Sequence, residues 1–419
     1  MPLNSLYNSF KPIFYISVIF GTMPLRLIKK PYLHLKPTKY GIYYLLLCLT
    51  CVLIHGMATP WFFVKTRSST LLLEPDVDAT NTSTYVKFIR NQTSAQILTM
   101  KVLNNLINTF MSVGSYTVSL FFVLNKLPMF QSYLADVDRG LVPFMKFNPR
   151  INYYIALLLT GYFIIMFATI CSFYIFVVIS QKGGFTFQLW STFLLFVVFS
   201  SFSSECQFLD LALCLLYRFR AINDFLKIYS TQREMFNAFI PLSYSKKVTV
   251  KQRLTVRRVE LAHQCNNKLC DLIEDLNCIY KLQLLLTVSG CFIKILFNIY
   301  FALFASFIND KKRNDDIQTV NTILWTTFYC TRFLVISIVA CNTSGEANKT
   351  KSIVSSVNRR SFDSEMKEEL NIFLQNTSNQ NFKFNACGLF TLSTQLITSA
   401  VASGTTYLVI LIQFRPPVS

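Results

Sequence analysis

The chain has 419 residues, of which 52% are hydrophobic, 15% aromatic and only 15% charged. A soluble protein of this size carries about 25% charged residues, so a water-soluble set of two or three domains is excluded and a bilayer is the solvent that fits. The 40 Lys and Arg against 21 Asp and Glu give a formal +19, which reads as nucleic-acid binding when taken alone but also as a topology signal, because cytoplasmic loops collect Lys and Arg.

From the N-terminus, the apolar run in residues 1–40 is broken by Lys11 and Pro12 and is followed by no small-residue cleavage site. It reads as a short interfacial or re-entrant helix rather than a signal peptide. A helix needs about 20 apolar residues to cross a bilayer. Seven stretches meet this: 41–64, 97–124, 151–180, 186–217, 281–308, 319–341 and 386–414. The expected fold class is all-α, a polytopic membrane protein with seven transmembrane helices.

An odd number of spans puts the termini on opposite sides. With the N-terminus inside, the interior segments 1–40, 125–150, 218–281 and 342–385 hold 28 basic residues and the exterior ones hold 9. The N-terminus is therefore expected in the cytoplasm and the C-terminus outside, the inverse of a G-protein-coupled receptor. Of the sequons, Asn81 and Asn91 fall in the exterior 65–96 loop and are glycosylation candidates, whereas Asn342 and Asn376 fall inside. All 12 Cys lie in spans or interior segments, which excludes an extracellular disulfide framework. His263, Cys265, Cys270 and Cys278 match no zinc-finger spacing, and no metal or other cofactor is expected.

The division that follows is a cytoplasmic segment 1–40, helices 1–4 in 41–217, a cytoplasmic helical domain in 218–281, helices 5–6 in 282–341, a cytoplasmic helix in 342–385 and a seventh helix in 386–414. Helices 4 to 6 are expected to extend into the cytoplasmic domain. Leu215, Phe219, Ile222, Phe225, Leu226 and Tyr229 recur at three and four residues, as do Leu261, Cys265, Leu269, Leu272, Leu276 and Ile279 before the fifth span. A further helix reads from Asp363, with Met366, Leu370, Phe373 and Leu374 on one face and acidic residues in its first turns, where the helix dipole favours them.

Ionisable residues within spans are costly and need partners. Glu205 and Asp210 in span four, Lys294 in span five and Arg332 in span six are expected to pair across the three helices. The pool for a ligand site, which should be concave and partly aromatic, is Asn104, Tyr174, Trp190, Asn298, Trp325 and Tyr329, with His55 and Phe193 nearby in sequence depth. The interfacial aromatics among them also suit a membrane belt. In the seventh span, helical spacing places Ser399, Ala402 or Ser403, Thr406, Ile410 and Gln413 on one stripe and Tyr407, Leu411 and Phe414 on the next. Such a stripe either lines water or lets helices approach closely.

Thr406-Tyr407, five apolar residues and then Gln413-Phe414 resemble the TYhhhhhQF signature of insect gustatory receptors, where h is hydrophobic. The resemblance implies a tetrameric ligand-gated cation channel, homomeric or formed with related receptors, in the plasma membrane of sensory dendrites. Its partners would be a small-molecule tastant, permeant cations and membrane lipids, with no nucleic acid. It implies a ligand-binding bundle for 41–217 and an anchor for 218–281 and 342–385. It also implies that the seventh helix of each of four subunits lines one pore, with Thr406, Ile410, Gln413 and Phe414 at the pore and gate and Tyr407 packed behind. Sugar receptors of the family tend to carry Glu after the motif Tyr. Leu408 stands there in this chain, so bitter or plant-derived compounds are the expected ligands, with a fructose-type channel as the alternative. A metabotropic receptor is disfavoured by the inverted topology, an enzyme by the scatter of His34, His55 and His263, and a transporter by the lack of an internal repeat.

Overall fold

The computed structural model describes residues 2–28, 34–73, 84–141, 150–181, 185–237, 245–308, 312–357, 364–378 and 380–413. In chain order they form α1 (Pro2–Ile19), a hairpin of β1 (Leu25–Ile28) and β2 (His34–Pro37), α2 (Lys39–Leu73), α3 (Thr84–Val118), a π-helical turn (Ser119–Val123), α4 (Leu124–Leu141), α5 (Arg150–Gln181) and α6 (Phe185–Asn237). There follow α7 (Ser245–Ile308), α8 (Lys312–Ser356), α9 (Ser364–Ser378), a hairpin of β3 (Asn385–Ala386) and β4 (Phe390–Thr391), and α10 (Thr394–Gln413). Among the described residues, six helical stretches are long and apolar enough to cross a membrane, within α2, α3 with α4, α5, α6, α7 and α8.

At 1.5 Å per residue the 53 residues of α6 and the 64 of α7 run roughly 80 and 95 Å, well beyond the roughly 45 Å of a whole bilayer. These helices must project from it. The faces read from the sequence are buried: Leu215, Phe219, Ile222 and Leu226 on α6, and Cys265, Leu269, Leu272, Leu276 and Ile279 on α7. α9 closes on α7 and α8 with Met366, Leu370 and Phe373 buried. On its polar side His263 Nδ1 pairs with Glu369 Oε1 at 2.8 Å, the Asn376 amide meets Nε2 at 2.9 Å, and the ring stacks on Phe373 at 4.8 Å. That histidine is a tie between helices.

Three expectations are corrected. The 65–96 segment is not mainly loop, since α2 runs to Leu73 and α3 starts at Thr84. The 125–150 segment contains α4, whose Leu127, Phe130, Leu134, Val137 and Leu141 are buried at helical spacing. The seventh helix does not begin at 386, because Cys387 (φ 52°) and Gly388 (φ 82°) turn the β3–β4 hairpin instead. The N-terminal segment, expected as an interfacial or re-entrant helix, does form a helix. α1 packs on α5 and α6, and Ile13, Phe14, Ser17, Phe20 and Thr22 are buried.

This segment is held by polar contacts as well as rings. The Tyr116 hydroxyl donates to Phe20 O (2.8 Å), Ser119 Oγ to Thr22 O (2.7 Å), and the Gln207 amide to Thr22 Oγ1 (3.1 Å). Phe20 lies 5.7 Å from Phe163 and 5.8 Å from Phe196. Gly21, at φ 72°, takes a left-handed conformation where a Cβ would also stand 2.8 Å from Cys48 Sγ. The chain then re-enters at Thr38, whose hydroxyl accepts from Gly41 N (3.1 Å) to cap α2. A Cβ on Gly41 would lie 2.5 Å from the Pro24 carbonyl oxygen, which is backbone and cannot turn away. Gly41→Ala is expected to lever the β1–β2 hairpin off α2 at a cost of about 1–3 kcal/mol. Thermal unfolding of the purified variant checks this, and an unchanged midpoint would show that the hairpin yields freely.

Candidate functional site

Three helices meet around one fully buried ion pair. Arg332 of α8 forks onto Glu205 of α6, its Nε donating to Oε2 at 2.8 Å and its Nη2 bonding Oε1, and the two side chains are 0% and 2% exposed. Thr287 of α7 donates to the same carboxylate at 2.9 Å, and Ser201 Oγ accepts a second bond from Arg332 Nη2 at 3.1 Å. The guanidinium carbon lies 5.5 Å from the ring centre of Phe202, 5.0 Å from Phe328 and 5.6 Å from Tyr329. An arginine suits this place because its planar fork satisfies a carboxylate while its faces stack on rings.

Lys294 and Asp210 do not complete the expected second pair. The Thr287–Glu205 bond sets the register between α7 and α6. Asp210 stands five residues from Glu205 toward the end where Tyr280 meets Gln207 (3.3 Å), and Lys294 stands seven residues from Thr287 the opposite way. The two are roughly 18 Å apart along the bundle. Asp210 is buried with neither carboxylate oxygen bonded among the described residues. Lys294, 1% exposed, bonds the Asn104 carbonyl of α3 and lies 5.4 Å from the Tyr329 ring centre.

Four of the six residues proposed from sequence for a ligand site gather here. Asn104 meets Lys294 directly, and Asn298 lies one turn beyond Lys294 on α7. Tyr329 donates to Asn108 Oδ1 at 3.0 Å, and Trp325 stacks on Tyr329 at 5.9 Å. Asn104 Oδ1 and Asn298 Nδ2 are buried without a hydrogen-bond partner. The other two lie elsewhere. Trp190 stacks on His55 of α2 at 4.2 Å, with Phe193 at 5.2 Å from the imidazole, and Tyr174 reaches Gln188 O at 3.5 Å near the α5–α6 turn. Beside the His55 stack an apolar groove of about 310 Å³ runs between α2 and α6, lined by Leu47, Cys48, Cys51, Leu189, Thr192, Phe193 and Phe196.

α10 is thinly attached. Gly404 is its one buried residue among those described, and a Cβ there would stand 3.3 Å from Leu296 and 3.6 Å from Phe292 of α7. Ser399, Ala402, Thr406, Ile410 and Gln413 are all exposed, as is Tyr407 at 56%, so none of the described residues covers the one expected to pack behind the pore helix. The hydroxyls bond back into their own helix, Ser403 to Ser399 O and Thr406 to Ala402 O. In contrast, the segment leading into α10 is well fixed. Phe382, Phe384 and Ala386 are buried, Asn277 Oδ1 of α7 accepts from Asn385 N (2.9 Å), and Asn348 of α8 brackets Phe382 with two bonds. Phe414 and Asn81 lie outside the described residues; Asn91 falls within α3, its side chain likewise outside them.

The sequence reading missed a second buried pair. Arg218 of α6 meets Asp138 of α4 through two 2.8 Å bonds, at 0% and 5% side-chain exposure. Its signal was Asp138 standing inside the apolar stripe of Leu127, Leu134 and Leu141. A third tie joins Asn223 to Thr350 (2.8 Å) and to Glu346 O (2.9 Å).

Residues 10–416 match the family model of the 7tm chemosensory receptors. Over 162 residues the chain is 29% identical to the Drosophila melanogaster protein named "Putative gustatory receptor 28b", covering 37% of this chain and 34% of that one. Over 137 residues it is 29% identical to the gustatory receptor for sugar taste 43a of the same species, covering 32% and 31%. The chain thus spans about a third of the length of these curated relatives. The insect olfactory receptor OR5 from Machilis hrabei superposes with a TM-score of 0.61 at 11% identity, covering 99% of this chain and 100% of that one, a likeness of fold. Six apolar helices around a buried polar centre, matched by one family model from residue 10 to residue 416, identify the chain as a member of the 7tm chemosensory receptor family, a multi-pass membrane receptor and not an enzyme.

Proposed function

We propose that the chain is a gustatory receptor acting as a tastant-gated nonselective cation channel of the plasma membrane, with four copies placing α10 around one pore. The observation that carries this is α10 itself. It has 20 residues, about the length of a bilayer core, and it exposes a stripe of Ser399, Ala402 and Thr406, then Ile410, ending in Gln413. A helix with one buried glycine and an open polar stripe is unsuited to stand alone in lipid, and three identical neighbours would cover it. Ile410, Gln413 and Phe414 would form the outer constriction. Ligands are bitter or plant-derived small molecules, in keeping with Leu408 at the position after the motif Tyr. The solved relative in complex with eugenol, TM-score 0.55, fits a receptor for small organic compounds. A sugar ligand is the second reading, favoured by the stretch shared with the relative named for sugar taste. Asn81 and Asn91 are proposed glycosylation sites.

The test is electrical. Expressed alone in oocytes without added G protein, the chain should give a fast cation current to a tastant panel. Gln413→Ala should change the permeability ratio of that current, since amides at a constriction set the hydrogen-bonding field that ions meet. Ligand responses that persist when membrane current is abolished would defeat the channel reading.

A further inference from the structure

We propose that Lys294 is the anion-recognising element of a ligand site, and that the ligand class it selects is a small organic carboxylate carried on a planar apolar frame. The inference rests on reading the chain as a small-molecule receptor and names the chemistry of its ligand. Two cations lie over one ring here. Lys294 Nζ is 5.4 Å and the Arg332 guanidinium 5.6 Å from the centre of Tyr329. Among the described residues the carboxylate bonded here, Glu205, is committed to Arg332 by a two-pronged bond and to Thr287. No carboxylate lies within 4.0 Å of Lys294 among the described residues, and Asp210 is out of reach by the register given above.

Burying an ammonium without a counter-charge is costly, and the cost falls when an anion arrives with it. The surroundings suit such an anion. One proton of the ammonium is engaged by the Asn104 carbonyl, which leaves two for a ligand. Asn298 Nδ2, buried and unbonded one turn away, is a further donor for a carboxylate oxygen. Asn104 Oδ1, also buried and unbonded, can accept from a hydroxyl beside that carboxylate. Trp325, stacked on the buried Tyr329 and itself half-buried, offers a flat apolar face to the rest of the molecule. A neutral polyol would use the amides and leave the ammonium uncompensated.

The experiment is thermal unfolding of the full-length protein in detergent with 3-phenyllactate and cinnamate, each set against its primary amide and methyl ester. The acids should raise the melting temperature where the amides and esters do not. Lys294→Met should need at least about tenfold more acid for the same rise, whereas Lys294→Arg should keep most of it. Equal shifts for acid and amide, no shift with either acid, or an undiminished acid effect in Lys294→Met would each overturn the proposal. So would full stabilisation by chloride alone when it replaces methanesulfonate, because the site would then hold a halide. Should Lys294→Met fail to fold, the acid-against-amide contrast in the wild type and its loss in Asn298→Leu decide the matter. Currents evoked by neutral compounds with no effect of the acids on melting would sink this inference and spare the channel. Acid stabilisation without any ligand-evoked current would do the opposite.

Discussion

Glu205→Ala is expected to lower stability by about 3–5 kcal/mol, the largest loss foreseen for a single side chain in this molecule. The truncation leaves Arg332 0% exposed among Phe202, Phe328 and Tyr329 with no anion, and strips Thr287 of its acceptor. Replacing both partners by methionine should recover most of the loss, because the pair has to repay the desolvation of two ions before it contributes anything, while apolar side chains of similar volume do not. With Glu205→Met and Arg332→Met as the single variants, detergent-solubilised protein followed by size-exclusion after graded heating measures all four corners of the methionine cycle. A single variant as stable as the wild type, or a double variant worse than the two singles together, would show that the pair is not the keystone of α6, α7 and α8.

Ile410→Asn is expected to produce a standing cation current without ligand. In the proposed tetramer Ile410 contributes four apolar side chains to the narrowest part of the pore, and a short apolar constriction closes by expelling water rather than by blocking it sterically. Four amides at that level would hold water and remove the barrier. Ile410 is 39% exposed and touches little of its own chain, so the substitution should leave folding intact. Two-electrode recording of resting conductance, with surface labelling to normalise expression, is the check. Resting conductance equal to wild type, alongside normal ligand responses, would move the gate elsewhere along α10.

The membrane-spanning parts were legible because lipid demands long apolar runs, and residues 41–64, 151–180 and 319–341 lie inside α2, α5 and α8. What hydropathy cannot report is where a helix continues after leaving the membrane. α4 and the ends of α2 and α8 were therefore hidden behind polar residues, although the apolar spacing of α4 was available to be read. The small hairpins at 25–37 and 385–391 have strands of only four and two residues, and the second turns on two positive-φ residues, too little pattern for periodicity to detect. For the buried charges the sequence gives depth but not register. Depth grouped Glu205, Asp210, Lys294 and Arg332 without choosing partners, and that Arg332 takes Glu205 while Lys294 misses Asp210 follows from how the helices are registered. Of the ligand pool, Asn104, Asn298, Trp325 and Tyr329 share one neighbourhood because α3, α7 and α8 present them at one level. Trp190 belongs to a different seam, where His55 of α2 draws it away.

The π turn at Ser119–Val123 interrupts a helical rod that otherwise runs from Thr84 to Leu141. A π turn accommodates one residue more than an α-helical path over the same rise. Since an α-helix advances about 100° per residue, an uninterrupted helix with one residue fewer would present Leu127, Leu134 and Asp138 to the same neighbours. Family members are therefore expected to differ here by single-residue insertions or deletions that leave both ends of the rod facing as before. In an alignment of such sequences, a lone gap between Tyr116 and Leu127 marks the loss or gain of a swivel, and not a change of fold.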